Sequence, residues 1–296
     1  MTAVIEVDGL TRRYGRLAAV DDATFTLEGN RIHGLLGRNG AGKTTLMQLL
    51  TGQEFASSGT IRVFGQSPVE NAGVLQHVSF IKESQRYPED FRPKHVLRSA
   101  PWFFANWDAA YADQLIEEFR LPVGQRIKKL SRGQLSSIGV IVGLASRAPI
   151  TFFDEPYLGL DAVARQLFYD RLLEDYAEHP RTVILSTHLI DEVANLLEHV
   201  LVIDRGRILV DESADELRGR ATALVGPASA LDTFVAGRDV LQRDRIGGLA
   251  SVTVAGLTGE EKKAASAAGL ELAPVSLQQL IVRMTNAPEK EFEHSA

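Results

Sequence analysis

The chain has 296 residues, 45% of them hydrophobic and 24% charged, with a formal net charge of −6. That length accommodates one large α/β domain and a smaller one, and the acidic balance argues against a broad nucleic-acid footprint. There is no cysteine, which excludes disulfides and thiolate metal sites and fits a reducing compartment.

The N-terminus, Met1-Thr-Ala-Val-Ile-Glu-Val, lacks the basic stretch and long apolar run of a secretory signal. Val4–Val7 alternates apolar and acidic residues and reads as a strand. Asp8–Gly15 reads as a loop holding Thr11, Arg12, Arg13 and Tyr14. Ala19–Leu27 reads as a second strand, ended by the turn Glu28-Gly29-Asn30, and the short, mostly apolar run Ile32–Leu36 as a buried one.

Gly37-Arg38-Asn39-Gly40-Ala41-Gly42-Lys43-Thr44 follows directly. It has the G-x-x-x-x-G-K-T pattern of a P-loop, between a strand and the helix start Thr45–Leu50. Glycines let backbone N–H groups turn toward phosphate oxygens, and the helix N-terminus adds partial positive charge. Lys43 is placed to reach β- and γ-phosphates and Thr44 to bind Mg²⁺. Tyr14 lies upstream at a distance from which its ring could stack on a base; an ordinary surface tyrosine is the alternative.

Gly59–Phe64 and Val78–Ile81 are further strands, the latter running into a polar loop, 82–88. Val96–Leu121 reads as two helices broken near Asn106-Trp107-Asp108, with Asp108 an N-cap. Trp102, Phe103, Phe104, Trp107 and Tyr111 make this stretch aromatic. It is either the core of a small helical subdomain or an exposed docking face. Ser131 is a natural N-cap for the helix Leu135–Ala145, which contains the most apolar run, Ile138–Ala145. That run is far below the ~20 residues a spanning helix needs, so any spanning of a membrane falls to other chains.

Ile150–Phe153 then Asp154-Glu155-Pro156 is a buried strand ending in two carboxylates, at the edge where α/β proteins bind ligands. Asp154 can hold Mg²⁺ and Glu155 can orient or deprotonate an attacking water. Val163–Glu178 is an amphipathic helix, and Val183–Thr187 a strand whose end carries His188. A helix over Leu189–Leu197 precedes a hairpin, Val200–Asp204 and Arg207–Val210, turning at Arg205-Gly206, and a short helix, Asp215–Arg218. From Ala221 the composition shifts to small residues, with alternating strands (222–225, 240–244, 249–254, 270–273) and helices (230–236, 259–268, 277–284). The polar tail Ala287–Ala296 reads as frayed.

With these residues in view, Val4–Arg218 resembles the nucleotide-binding subunit of an ATP-binding cassette (ABC) transporter. Gly37–Thr44 matches the family's Walker A motif, and Ile150–Asp154 with Glu155 matches Walker B and the catalytic glutamate. Leu130-Ser131-Arg132-Gly133-Gln134 resembles the LSGGQ signature, Leu158–Asp161 the D-loop and His188 the switch histidine. The resemblance implies a RecA-like α/β core with an antiparallel β subdomain and a helical subdomain (about 88–145). The cassette would span 1–220, followed by a small α+β accessory domain, 221–296.

It further implies an ATPase in which Glu155, His188 and Lys43 carry the chemistry. ATP would be bound by Tyr14, Asn39, Gly40, Gly42, Lys43, Thr44, Thr45, Ser131, Gly133, Gln134 and Asp161, and Mg²⁺ by Thr44, Asp154 and Glu83. A second cassette would pair head to tail, so that Ser131 and Gly133 meet the γ-phosphate held by the opposite subunit. Transmembrane permease subunits would be driven through the loop after Ile81, at the cytoplasmic face of the membrane, and nucleic acid is not an expected partner.

Two residues depart from the family pattern. Arg132 stands where the signature usually has glycine, and Glu83 where the Q-loop usually has glutamine, with Gln85 the alternative coupling residue. Arg132, Glu83 and the appended domain are similar to bacterial exporters of drugs, antibiotics or lipids. An importer ATPase, a non-transport ABC ATPase and a cassette that binds ATP without turnover are the other readings.

Overall fold

The protein's structure, a computed structural model, describes residues 2–83, 85–238 and 240–286; the tail expected over Ala287–Ala296 lies outside the described residues. Two units emerge, one running to Leu189 and resuming over Leu196–Asp211, the other made of Ile190–Asn195 and the chain from Glu212 on.

The first unit begins with β1 (Ala3–Tyr14) and β2 (Leu17–Glu28), then β3 (Ile32–Leu36), α1 (Lys43–Leu50), β4 (Ser58–Val63), α2 (Ala72–Leu75) and β5 (Val78–Ile81). Helices α3 (Pro93–Ser99), α4 (Ala109–Glu118) and α5 (Arg132–Ala145) follow, with 3₁₀ turns at Ala100–Trp102 and Ile127–Lys129. Then come β6 (Ile150–Asp154), α6 (Ala162–Glu178) and β7 (Thr182–Thr187). Beyond α7 (Ile190–Val193), which belongs to the second unit, lie β8 (His199–Asp204) and β9 (Arg207–Ser213).

β2, β1 and β4 form an antiparallel sheet in that order. The larger sheet has the order β5-β6-β7-β3-β8-β9, parallel from β5 through β8. Every residue of β3, β6 and β7 is buried, because helices and the smaller sheet cover both faces of a parallel sheet; hence their mostly apolar sequences without polar alternation. One core joins the two sheets through α1, with Leu10, Phe25, Leu46, Met47, Phe152 and Ile184 all buried.

The second unit adds α8 (Ala214–Gly219), β10 (Ala221–Pro227), α9 (Ala228–Phe234), β11 (Val240–Ile246) and β12 (Leu249–Ala255), then α10 (Gly259–Ala267), β13 (Glu271–Pro274) and α11 (Leu277–Asn286). Its antiparallel sheet, β11-β12-β10-β13, has a core of its own around Leu224, Leu231, Val252 and Leu270. The α/β cassette fold with an α+β appendage is thus the one expected.

Local readings differ in places. Residues 8–14 continue β1 instead of forming a loop. Gly9 has φ +56°, and the pairing with β2 shifts register between Val7 and Leu10. This is a bulge that re-phases the strand and leaves the consecutive residues Leu10 and Thr11 both buried, so the period-2 signal breaks although the strand does not. The helix expected from Leu135 starts at Arg132, because Ser131 and Gln134 form a capping box. The helix expected over Leu189–Leu197 is one turn, Ile190–Val193. Asp108 does cap α4, its side chain accepting from Tyr111 N–H at 2.8 Å.

Candidate active site

The loops after β3, β6 and β7 emerge side by side, because those strands are neighbours and parallel. Asn39, Gly40, Gly42, Lys43, Thr44 and Thr45 line one cleft of about 690 Å³ with Tyr14, Glu83, Glu155 and His188. Gly42 shows why the loop needs glycine. It caps α1 with φ +112°, and a Cβ there would lie 2.2 Å from the Ala19 carbonyl oxygen.

Lys43 is 6% exposed. Its Nζ donates to the carbonyl oxygens of Gly37 at 2.8 Å and Arg38 at 3.3 Å, and pairs with Glu155 Oε1 at 3.3 Å. The register Asp154↔Ser186 sets the strand ends level. Asp154 Oδ2 accepts from Thr44 Oγ1 at 2.7 Å, and Oδ1 from Ser186 Oγ at 2.6 Å. Thr44 Oγ1 and a buried carboxylate thus converge, a hard-oxygen pair of the kind that holds Mg²⁺ when phosphates and waters complete the shell. A cleft of this size beside glycine-lined backbone and a buried lysine fits a nucleoside triphosphate.

Glu155 has φ +49°, the left-handed region that side-chain-bearing residues seldom adopt. Its N–H is fixed by Ser186, at 3.1 Å to Oγ. Its Oε2 lies 2.8 Å from His188 Nδ1. The Tyr157 hydroxyl donates to the same oxygen. Oε1, by contrast, is buried and, among the described residues, has the ion pair with Lys43 but no hydrogen bond. Tyr157 escaped the sequence reading, since nothing in Asp154-Glu155-Pro156-Tyr157 alone brings its hydroxyl back to Glu155. Burial is the main cause pushing that phenol well above its usual range, so it stays protonated.

The signature residues lie elsewhere. Ser131 Oγ accepts from Gln134 N–H at 3.2 Å, and Gln134 Oε1 from Ser131 N–H at 3.0 Å. A Cβ on Gly133 would meet the Gly159 carbonyl oxygen at 2.6 Å, and Ser136 Oγ donates to the Leu158 carbonyl at 2.6 Å. The signature helix therefore packs directly on the segment that carries Asp161. Asp161 caps α6 by accepting from Ala164 N–H at 2.8 Å. Ser131, Gly133, Gln134 and Asp161 do not line the cleft around Lys43.

The two departures from the family pattern meet, with Arg132 and Glu83 3.7 Å apart. They share a small cavity with Gln85 and Glu155; Glu83 also lines the main cleft, and Gln85 does not. A larger cavity, about 1000 Å³, lies at the opposite sheet edge beside Asn30, Pro149 and Thr182. It has no phosphate loop, and its Arg147 and Arg181 are committed to Asp175 at 3.0 and 2.5 Å.

The family described as "ABC transporter" matches residues 20–158, and an AAA domain family matches residues 123–194. The Nod factor export ATP-binding protein I of Ralstonia nicotianae is 30% identical over 222 residues, covering 73% of this chain and 69% of that protein. The chain belongs to the ABC transporter ATP-binding family. The daunorubicin resistance ATP-binding protein DrrA3 of Streptomyces coeruleorubidus is 32% identical to this cassette protein over 226 residues, 72% of this chain and 69% of that one. Among solved structures, an ATP-binding subunit of an ABC transporter superposes with TM-score 0.65 at 24% identity, covering 73% of this chain and 92% of that one. This likeness bears on the fold alone.

Proposed function

We propose that this ATP-binding subunit hydrolyses ATP with Mg²⁺ and drives export through separate transmembrane subunits. The observation that carries the reading is the convergence of Lys43, the Thr44–Asp154 pair and the Glu155–His188 pair on one cleft. Lys43 would bind β- and γ-phosphate oxygens beside the backbone of Asn39, Gly40 and Gly42. Thr44 and Asp154 would hold Mg²⁺, with Glu83 near, and the bound ion would neutralise charge developing on the phosphates. Glu155 would take the proton of the attacking water while His188 steadies the γ-phosphate and that water.

Ser131, Gly133 and Gln134, exposed or half-buried at the start of α5, would serve ATP held by a second cassette, with Asp161 beside them. Tyr14, 43% exposed at the cleft rim, would stack on the adenine. Trp102 and Phe103 are 83% and 67% exposed, which favours the docking-face reading for these two and a permease as what they meet. No helix among the described residues is long and apolar enough to cross a membrane; the proposed place of the chain is peripheral, at the cytoplasmic face, where a permease partner would hold it. Relatives named for Nod factor export and daunorubicin resistance support the outward direction. The cassette would comprise about residues 1–220 and the accessory domain 221–296.

Glu155→Gln tests the chemistry. Turnover should fall by about 10²-fold or more with ATP binding retained; an undiminished rate would remove Glu155 as the base. Affinity purification from native membranes tests the coupling. A stoichiometric multi-helix membrane protein is the expected companion, and an ATPase purified without one would sink the transport reading.

A further inference from the structure

Tyr157 is 2% exposed, and its hydroxyl sits where β6 and β7 deliver Glu155 and His188. Besides His188 Nδ1, 3.0 Å away, three groups meet that oxygen. The single proton goes to Glu155 Oε2. The lone pairs accept from Thr187 Oγ1 at 3.1 Å and from the His188 N–H at 3.2 Å. With the phenol oxygen so occupied, His188 Nδ1, 2.8 Å from Oε2, is left to donate to that same carboxylate oxygen. Oε2 is therefore doubly held, and Oε1, buried and without a hydrogen bond among the described residues, faces Lys43.

We propose that Tyr157 is a positioning residue for hydrolysis: by fixing Oε2 of Glu155 and the ring of His188, it makes Oε1 the oxygen that receives the water's proton. This rests on the reading of Glu155 as the base. The proton passes from water to Oε1 as the water oxygen bonds to phosphorus and the bond to the leaving ADP oxygen breaks; Tyr157 keeps its own proton throughout. An unheld carboxylate would rotate, so that either oxygen, or neither, met the water in line.

Tyr157→Phe keeps the ring, which lies edge-on to His188 with centroids 5.7 Å apart, and removes only the hydroxyl. In the full chain with its membrane partner, kcat should fall about 10-fold while KM and directly measured ATP affinity stay within about two-fold. A kcat within about two-fold of wild type, or a loss of ATP affinity matching the loss of rate, overturns the role. Should that variant fold poorly, 3-fluorotyrosine placed at position 157 retains ring and hydroxyl but alters the strength of the donated bond. It should change kcat with ATP affinity unmoved, and an unchanged kcat overturns the proposal. Glu155→Gln runs alongside. If it leaves turnover intact, the reading of the site and the role of Tyr157 fall together; if only the Tyr157 variants are silent, Tyr157 alone falls.

Discussion

The strand-end cluster and the signature segment belong to one unit yet are built on opposite plans. Lys43, Asp154, Glu155 and Tyr157 are all less than a tenth exposed and, with Thr44, Ser186 and His188, are tied together by side-chain contacts across three chain segments. Among the described residues the side chains of Ser131 and Gln134 bond within their own capping box, and Arg132 reaches Glu83 from an exposed position. The first region is a finished device, costly to desolvate and stiff once formed. The second is a preformed helix end at the surface, the kind of terminus that can take an anion from another molecule.

The sharpest break of that contrast is Glu155→Gln, whose effect on rate should exceed that of any single change in the signature. Next comes pH, which acts on the interior side. His33, buried in β3 with its Nε2 donating to the Glu28 carbonyl at 2.8 Å, is held by burial at a pKa of about 4. The unfolded chain binds that proton near pH 6.5 and the folded chain does not. Stability is therefore full above about pH 6.5 and falls by up to about 3 kcal/mol as pH drops toward 4. Urea unfolding at a series of pH values should show the slope in wild type and a flatter one in His33→Asn; equal slopes would mean the imidazole is not the cause.

Gly133→Ala probes where the two plans touch. Its new Cβ meets the backbone oxygen of Gly159, so the cost should be about 1–3 kcal/mol in unfolding free energy. No cost would mean that the D-loop gives way freely. Ser131→Ala should be the mildest. It removes one cap, worth about 1 kcal/mol by chemical denaturation; a larger loss would show the signature to be tied into the interior after all.

The contiguous parts of the site were legible in the sequence. The P-loop and the strand-terminal Asp154-Glu155 declare themselves because strand, loop and helix follow one another within a few residues. Tyr157 and Ser186 did not, because their roles depend on the register between β6 and β7, which no local pattern records. Arg132 and Glu83 were each visible as departures, but their pairing needed the fold. The exposure of Trp102 and Phe103 was undecided because a short 3₁₀ turn and the bend after it carry no usable hydrophobic period. The bulge at Gly9 hid the second half of β1 for a related reason, since it resets the alternation by which a strand is recognised.

The position of β3 between β7 and β8 also bears on how the chain is made. The P-loop strand leaves the ribosome with neither neighbour yet synthesised, for both begin only at Thr182 and His199. At about 5–20 residues per second, the wait is on the order of ten seconds. For that time a mostly apolar strand, interrupted by His33, has two unpaired edges. A nascent chain stopped before Thr182 would hold every Walker A residue and still have no nucleotide site, and it would be a substrate for chaperones and proteases rather than a slow ATPase.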